Sequence, residues 1–375
     1  MKKLAKSPLN WYDLGMELAK LQPMDAEKKA RIKKAIIISA FVVVLVLMFF
    51  VCLFVGSAKI SVSECFKALA GKSTNANNRI MLYIRLPRVL AAVIAGAGLA
   101  VAGLIMQTSL GNVMASPSTL GVSNAAVFGA NVSIIGFAGG FLTTGKDFAN
   151  VVNTFNPFAV ATVAFLFAVV STLLVLGLCR LKNFSPNTIV LAGIAIGAIW
   201  TAGTTILQFF ATDVGLSAAV IWSFGDLGRA TFTQDYIMLG VVGAALITFF
   251  CLSWRFNAML GGDNVAKSVG VNVSALRVSA LLISSLVTAV CVSFLGIIGF
   301  VGIICPHVVK KLLGHNHVVS IPMSALAGSL LLLVADTISR SIAGGTALPV
   351  GAITSLLGAP FFLFMLFARR DEKNV

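Results

Sequence analysis

The chain has 375 residues, 58% of them apolar and only 11% charged, where an ordinary soluble domain carries about 25% charge. Apolar runs of span length recur along nearly all of it, which excludes a soluble enzyme core and leaves no charged segment long enough for a separate domain. The net charge of +15 sits mostly in the N-terminal tail and in short loops beside apolar runs, so topology and anionic headgroups account for it and no nucleic-acid partner is implied.

Residues 1–35 form a basic tail with nine Lys or Arg before Ala35. Within it Trp11, Leu14, Leu18 and Leu21 recur at near-helical spacing ahead of Pro23, which leaves two readings open, an interfacial amphipathic helix or a loosely ordered tail. The first apolar run, from Ala35 to about Gly56, starts too late and runs too long for a cleaved signal peptide and is read as an uncleaved first span. Further apolar runs fall near 88–108, 118–142, 157–179, 187–211, 236–254, 278–313, 318–338 and 350–367. The run 278–313 is 36 residues long and is interrupted by Gly296, Gly299, Gly302 and Pro306, against roughly 20 residues for one span. Splitting it gives ten spans, with 19 Lys or Arg inside and 9 outside; leaving it whole gives 15 and 13. The positive-inside rule selects ten, with both termini cytoplasmic. The expected organisation is a tail (1–35), a membrane domain (36–370) and a short C-terminal tail (371–375).

The stretch 85–121, RLPRVLAAVIAGAGLAVAGLIMQTSLGNVMASPSTLG, organises this reading. Arg85 and Arg88 form a basic collar on a span whose Gly96, Gly98, Gly103, Ala95 and Ala102 leave a smooth face for another backbone. A polar turn rich in Gly, Asn, Ser and Pro then reverses the chain. The segment before it, 57–88, carries Lys59, Lys67, Lys72, Arg79, Arg85 and Arg88 on the face that should be poor in positive charge. It is a candidate docking surface for something acidic, or a set of charges snorkelling to headgroups. Arg88 precedes Pro117 and Arg277 precedes Pro306 by the same 29 residues; an inverted repeat would produce this echo, although side-chain identity between the two segments is poor.

Candidate chemistry is sparse. Among thirteen acids only Asp336 lies at the edge of an apolar run, with Arg340 one turn later as its natural partner; the others are read as tail or loop residues. An ion-coupled transporter needs intramembrane acids, so the driving energy is expected from another protein. Gly71-Lys72-Ser73 lacks the first glycine of a phosphate-binding loop, since Phe66 stands there. His307, His315 and His317 have no Cys or acidic company, so no metal site is expected, and no cofactor. The six cysteines show no CxxC pattern and five fall in or beside apolar runs. No Ser/His/Asp set is spaced for catalysis, so the chain is not read as an enzyme. The inner loop from Arg255 to Arg277 contains GGDNVAKSVGV (261–271), expected as a short helix capped by Asp263 and ended by Gly270; it suits contact with a soluble partner, or serves as a connector.

Taken together, RLPR (85–88), GAGLAVAGLIMQ (96–107), ASPSTLGVS (115–123), WSFGDLG (222–228), GDNVAKSVGV (262–271), GFVGIICPHVVKKLLGHNH (299–317) and LPVGAITSLLGAPFF (348–362) resemble the FecCD-type permeases, the membrane subunits of ABC importers for iron–siderophore complexes, haem and cobalamin. The turn departs from the family at Val113 and Met114, where Asn-Pro-Leu is usual, and the N-terminal tail is longer. The resemblance implies an all-α polytopic membrane protein of about ten transmembrane helices with the cobalamin-importer-type permease fold. It implies a second permease subunit, identical or homologous, a cytoplasmic ABC ATPase dimer, and an extracytoplasmic substrate-binding protein whose acidic residues meet Arg85 and Arg88. Asp263, Ala266, Lys267, Val269 and Gly270 then belong to the element that receives the ATPase stroke; Gly193, Gly197, Pro349 and Gly351 are candidates for the translocation pathway from their position in the spans alone. A secondary transporter or channel working without an ATPase is the competing reading.

Overall fold

A computed structural model describes residues 24–56, 58, 60–137, 156–180, 184–342 and 348–371, and all regular structure among them is helical. The chain divides into two compact units, residues 1–44 and 45–375. What is described of the first is the N-terminal part of α1 (Met24–Phe54). That helix starts well before the apolar run, because the residues after Pro23 are mostly Ala, Glu, Lys and Arg, all good helix formers. The Trp11–Leu21 stretch and Lys59 lie outside the described residues.

In the second unit two short helices, α2 (Val62–Leu69) and α3 (Asn75–Arg79), lead through a wide turn at Ile80–Arg85 into α4 (Leu86–Leu110). The wide turn has a local cause. Pro87 has no N–H to offer, and the Leu86 N–H reaches back to Met81 O, five residues away. After α4, Gly111 (φ +58) allows the left-handed reversal into a 3₁₀ turn at Pro117–Leu120. There follow α5 (Val122–Asn131), α6 (Pro157–Arg180), α7 (Pro186–Phe209), α8 (Asp213–Ser223), α9 (Phe232–Cys251), α10 (Ser253–Met259), α11 (Asp263–Ser268), α12 (Val273–Leu295), α13 (Val301–Leu313), α14 (His317–Ile342) and α15 (Val350–Asp371).

Among the described residues, seven helices are long and apolar enough to cross a membrane by length and composition. For the other three expected spans, the described residues hold the helical stretches Val122–Phe137, Val301–Leu313 and α15 (Val350–Asp371). The long run 278–313 does break in two. Gly296 (φ +78) and Phe300 (φ +65) close α12 and open α13 through five non-helical residues. Helix α8 is an element the apolar runs did not announce, because its eleven residues fall short of a span.

The core is built around α4, which is buried along most of its length. Helix α14 runs antiparallel to it, with Arg88 meeting Asp336 at one end and Thr108 meeting His317 at the other. Between those ends Gly96 lies against the Gly328 backbone. Helix α12 is antiparallel on another face, where Arg277 meets Ser109 and Gly98 faces Val242 of α9 and Val287 of α12. Helix α13 crosses at Gly103, whose neighbour is the Gly302 backbone. Lipid tails are as apolar as leucine, so this close backbone approach, through dispersion and polar contacts, holds such helices together. Pro306 would leave Gly302 O without its helical donor, and Gln107 Nε2 supplies one at 3.2 Å. Lys310 Nζ in turn donates to Gln107 Oε1 at 3.0 Å.

Candidate functional site

The basic collar turns inward. Helix α1 ends among apolar neighbours with carbonyls that no further helix turn can satisfy. Arg85, 4% exposed, donates through Nη1 to Leu53 O (2.8 Å) and Phe54 O (2.9 Å). Arg340 donates to Val55 O (2.6 Å) and Cys52 O (3.0 Å). Two arginines therefore cap one helix C-terminus, where cations also complement the helix dipole. Arg88, 9% exposed, gives Nε to Asp336 Oδ1 at 2.7 Å, with Asp226 Oδ1 at 3.8 Å from Nη2. Asp336, fully buried, also meets Arg340 at 2.8 Å. The expected Asp336–Arg340 pair is thus part of a three-residue cluster that includes Arg88. Arg85 and Arg88, the residues expected to meet a binding protein, have their guanidinium groups committed to carbonyls and a carboxylate inside the fold.

Among the described residues of 57–88, the basic ones that stay exposed are Lys67, Lys72 and Arg79, on and between α2 and α3. Lys67 pairs with Glu64 at 3.1 Å. The Ser73 hydroxyl, and then Lys67, hold the Glu64 carboxyl below the usual carboxylate range.

Gly351 belongs to a second cluster, a junction of three non-helical segments. A side chain on Gly351 would run into Ile297 O and Phe224 O, one on Gly225 (φ +74) into Ile297 O, and one on Gly296 into Trp222 O. Backbone bonds from Asp226 N to Leu295 O (2.7 Å) and Val350 N to Gly225 O (3.0 Å) tie the segments together. Arg229 closes the end of α8 by donating to Ile221 O and Trp222 O; burial lowers its pKa from the usual arginine value. Pro349, half-buried, opens α15 at this junction.

Gly193 and Gly197 lie elsewhere. Both are buried on α7 against the turn 119–121 and line a cavity of about 400 Å³ with Asn112, Ser118, Thr119 and Asn124. Asn124 Nδ2 donates to Gly197 O at 3.2 Å. The four expected pathway residues therefore divide between two places, the cavity and the glycine junction.

The loop helix forms as α11, but its cap differs from the expectation. Gly262 (φ +96) is the N-cap, and Asp263, in the first turn, turns its carboxylate to Arg277 Nη2 at 2.8 and 3.0 Å. Gly270 (φ +84) ends the element as expected. Ala266 is buried beneath it, while Val265, Lys267, Val269 and Gly270 are exposed. Three residues escaped the sequence reading. Arg277 entered it only as a topological charge and half of an echo, although an arginine directly ahead of a long apolar run was itself a signal. Asp235, read as a loop residue, is 2% exposed in the first turn of α9, and neither of its carboxylate oxygens has a hydrogen-bond partner among the described residues. His317, also read as a loop residue, starts α14 fully buried, bonded to Thr108 and Asn257 at 2.8 Å each. Among the described residues no cluster of three His, Cys, Asp or Glu is placed to hold a metal.

Comparison with known proteins agrees with this architecture. The protein MJ0087 of Methanocaldococcus jannaschii is 45% identical over 92% of this chain and 98% of its own length. The hemin transport system permease protein HmuU of Yersinia pestis is 33% identical over 88% and 96%. The vitamin B12 import system permease protein BtuC of Vibrio cholerae is 32% identical over 78% and 84%. Among solved structures, a metal-chelate type ABC transporter in an inward-facing conformation superposes with a TM-score of 0.76 at 25% identity, covering 88% of this chain and 99% of that one. The model of the FecCD transport family matches residues 44–368, and the chain belongs to that family.

Proposed function

We propose that this chain is the multi-pass permease subunit of an ABC importer that carries a metal chelate or related macrocycle, of the class spanning iron–siderophore, haem and cobalamin. The observation that carries the reading is the extent of the family match, which runs through the membrane helices and through α11. On this reading the Arg88 end of α4 faces outward and the Ser109 end faces the cytoplasm, with both termini cytoplasmic. The exposed face of α11 and its flank (Val265, Lys267, Val269 and Gly270), with Asp263 and Ala266 holding it in place, receives a cytoplasmic ATPase dimer. A second permease subunit completes the pathway, to which the cavity beside Gly193 and Gly197 contributes. An extracytoplasmic binding protein delivers cargo to Lys67, Lys72 and Arg79. The chain's own residues orient and gate; hydrolysis belongs to the ATPase.

The docking assignment has a direct test. Lys72→Glu combined with Arg79→Glu weakens the binding protein's affinity by about tenfold at low salt, and the difference shrinks as salt is raised. Titration of labelled binding protein onto reconstituted permease measures it, and an unchanged affinity removes these residues from the interface.

Asp235 is the one observation favouring a transporter that works alone, since a buried, unpartnered acid at the end of a span is what ion coupling uses. On the importer reading, Asp235→Asn leaves ATP-driven uptake into proteoliposomes within about twofold of the parent. Uptake that is lost in this variant and needs an ion gradient instead of ATP would establish the solitary transporter.

A further inference from the structure

Arg277 is 4% exposed and spreads its donors over three separate pieces of chain. Its Nη2 holds Asp263 in the first turn of α11. Its Nε donates to Ser109 O at 2.7 Å, in the last turn of α4, where no helical N–H remains to satisfy that carbonyl. Its Nη1 reaches Phe184 O at 3.4 Å, two residues ahead of α7, where Phe184 stands at φ +53, a conformation that a bulky residue rarely adopts. A planar guanidinium fixes these directions relative to one another; a lysine ammonium cannot.

The two carbonyls are the roots of the two walls of one cavity. Ser109 leads through Gly111 into the turn that supplies Asn112, Ser118, Thr119 and Asn124, and Phe184 leads into α7, which supplies Gly193 and Gly197. The walls touch closely, since Thr119 O and the Leu120 backbone lie against Gly193 and the Gly197 backbone against Gly121.

We propose that Arg277 is the positioning residue through which displacement of α11 reaches both walls of this cavity, so that movement of one short helix changes the separation of the turn 112–121 from α7. The inference rests on reading α11 as the ATPase contact. It assigns the transmission to one side chain that touches neither nucleotide nor cargo. Rigid elements with shared polar anchors carry such coupling when two arrangements are available to them.

The test uses the full importer in proteoliposomes and the permease alone. In the importer, Arg277→Lys keeps ATPase association and basal ATP hydrolysis, and Arg277→Lys and Asp263→Asn each lower cargo moved per ATP by about tenfold. The double variant is no worse than the worse single, because both break one connection. In the permease alone, each variant raises backbone hydrogen exchange at 109–112 and at 184–190 together. Unchanged cargo per ATP in Arg277→Lys overturns the inference while leaving the ATPase contact standing. Faster exchange in only one of the two segments also overturns it. A parent chain that binds no ATPase overturns the reading of α11, and the inference falls with it.

Discussion

Valine in place of Gly103 eliminates the folded permease. A Cβ at this position overlaps Gly302 O and sits against the Gly302 Cα and carbonyl carbon, all of them backbone, so no side chain can swing aside. The helices must separate, and with them go the Gln107 bond to Gly302 O and the Lys310 bond to Gln107, each worth about 1–3 kcal/mol when a buried group is left unpaired. Gly96→Val acts the same way against Gly328. The expected result is loss of the monodisperse peak on size-exclusion chromatography in detergent and of any cooperative melting transition. Gly240→Ala is the control. A Cβ on Gly240 in α9 meets nothing within 4 Å, and alanine there stabilises a helix by up to about 1 kcal/mol. If Gly103→Val melts like the parent, α4 and α13 are not packed backbone to backbone.

The second large effect belongs to Asp336. Asp336→Leu leaves Arg88 and Arg340 facing each other without their shared carboxylate, in a place where the acid was fully buried. Removing one member of a buried charge cluster costs about 3–5 kcal/mol. Asp336→Asn costs less, since its amide oxygen can still accept from Arg88. A thermal midpoint that falls strongly for Asp336→Leu and partly for Asp336→Asn matches the account. Equal stability in all three proteins would contradict the cluster.

The parts of this fold legible in the sequence are those set by spacing. The smooth face of α4 was readable from Gly96, Gly98 and Gly103, and each of these glycines has a close neighbour from another helix. The break near Gly296 was readable because glycines, a proline and the balance of charge converged on it. The direction in which a charged side chain points was not readable. Arg85 and Arg88 look like surface charges in a linear sequence, and they turn inward because carbonyls at the end of α1, some thirty residues earlier, need donors, and because Asp336, 248 residues later, needs a counter-charge. Asp235 was hidden by its place just ahead of an apolar run, where a helix first turn and a loop read alike. Asp263 fitted a capping pattern, but Arg277 competes for the same carboxylate and holds it with two bonds. Gly193 and Gly351 were grouped by span position alone, and long-range packing sends them to different sites.

The most direct test of the central claim is ATP hydrolysis by the reconstituted complex of this permease, its ATPase and its binding protein, with iron–siderophore, haem and cobalamin supplied in turn. One loaded binding protein is expected to stimulate hydrolysis above the unloaded rate, and the stimulation is lost with Lys72→Glu combined with Arg79→Glu. Hydrolysis indifferent to every loaded binding protein, together with uptake that proceeds without ATP, would contradict the claim.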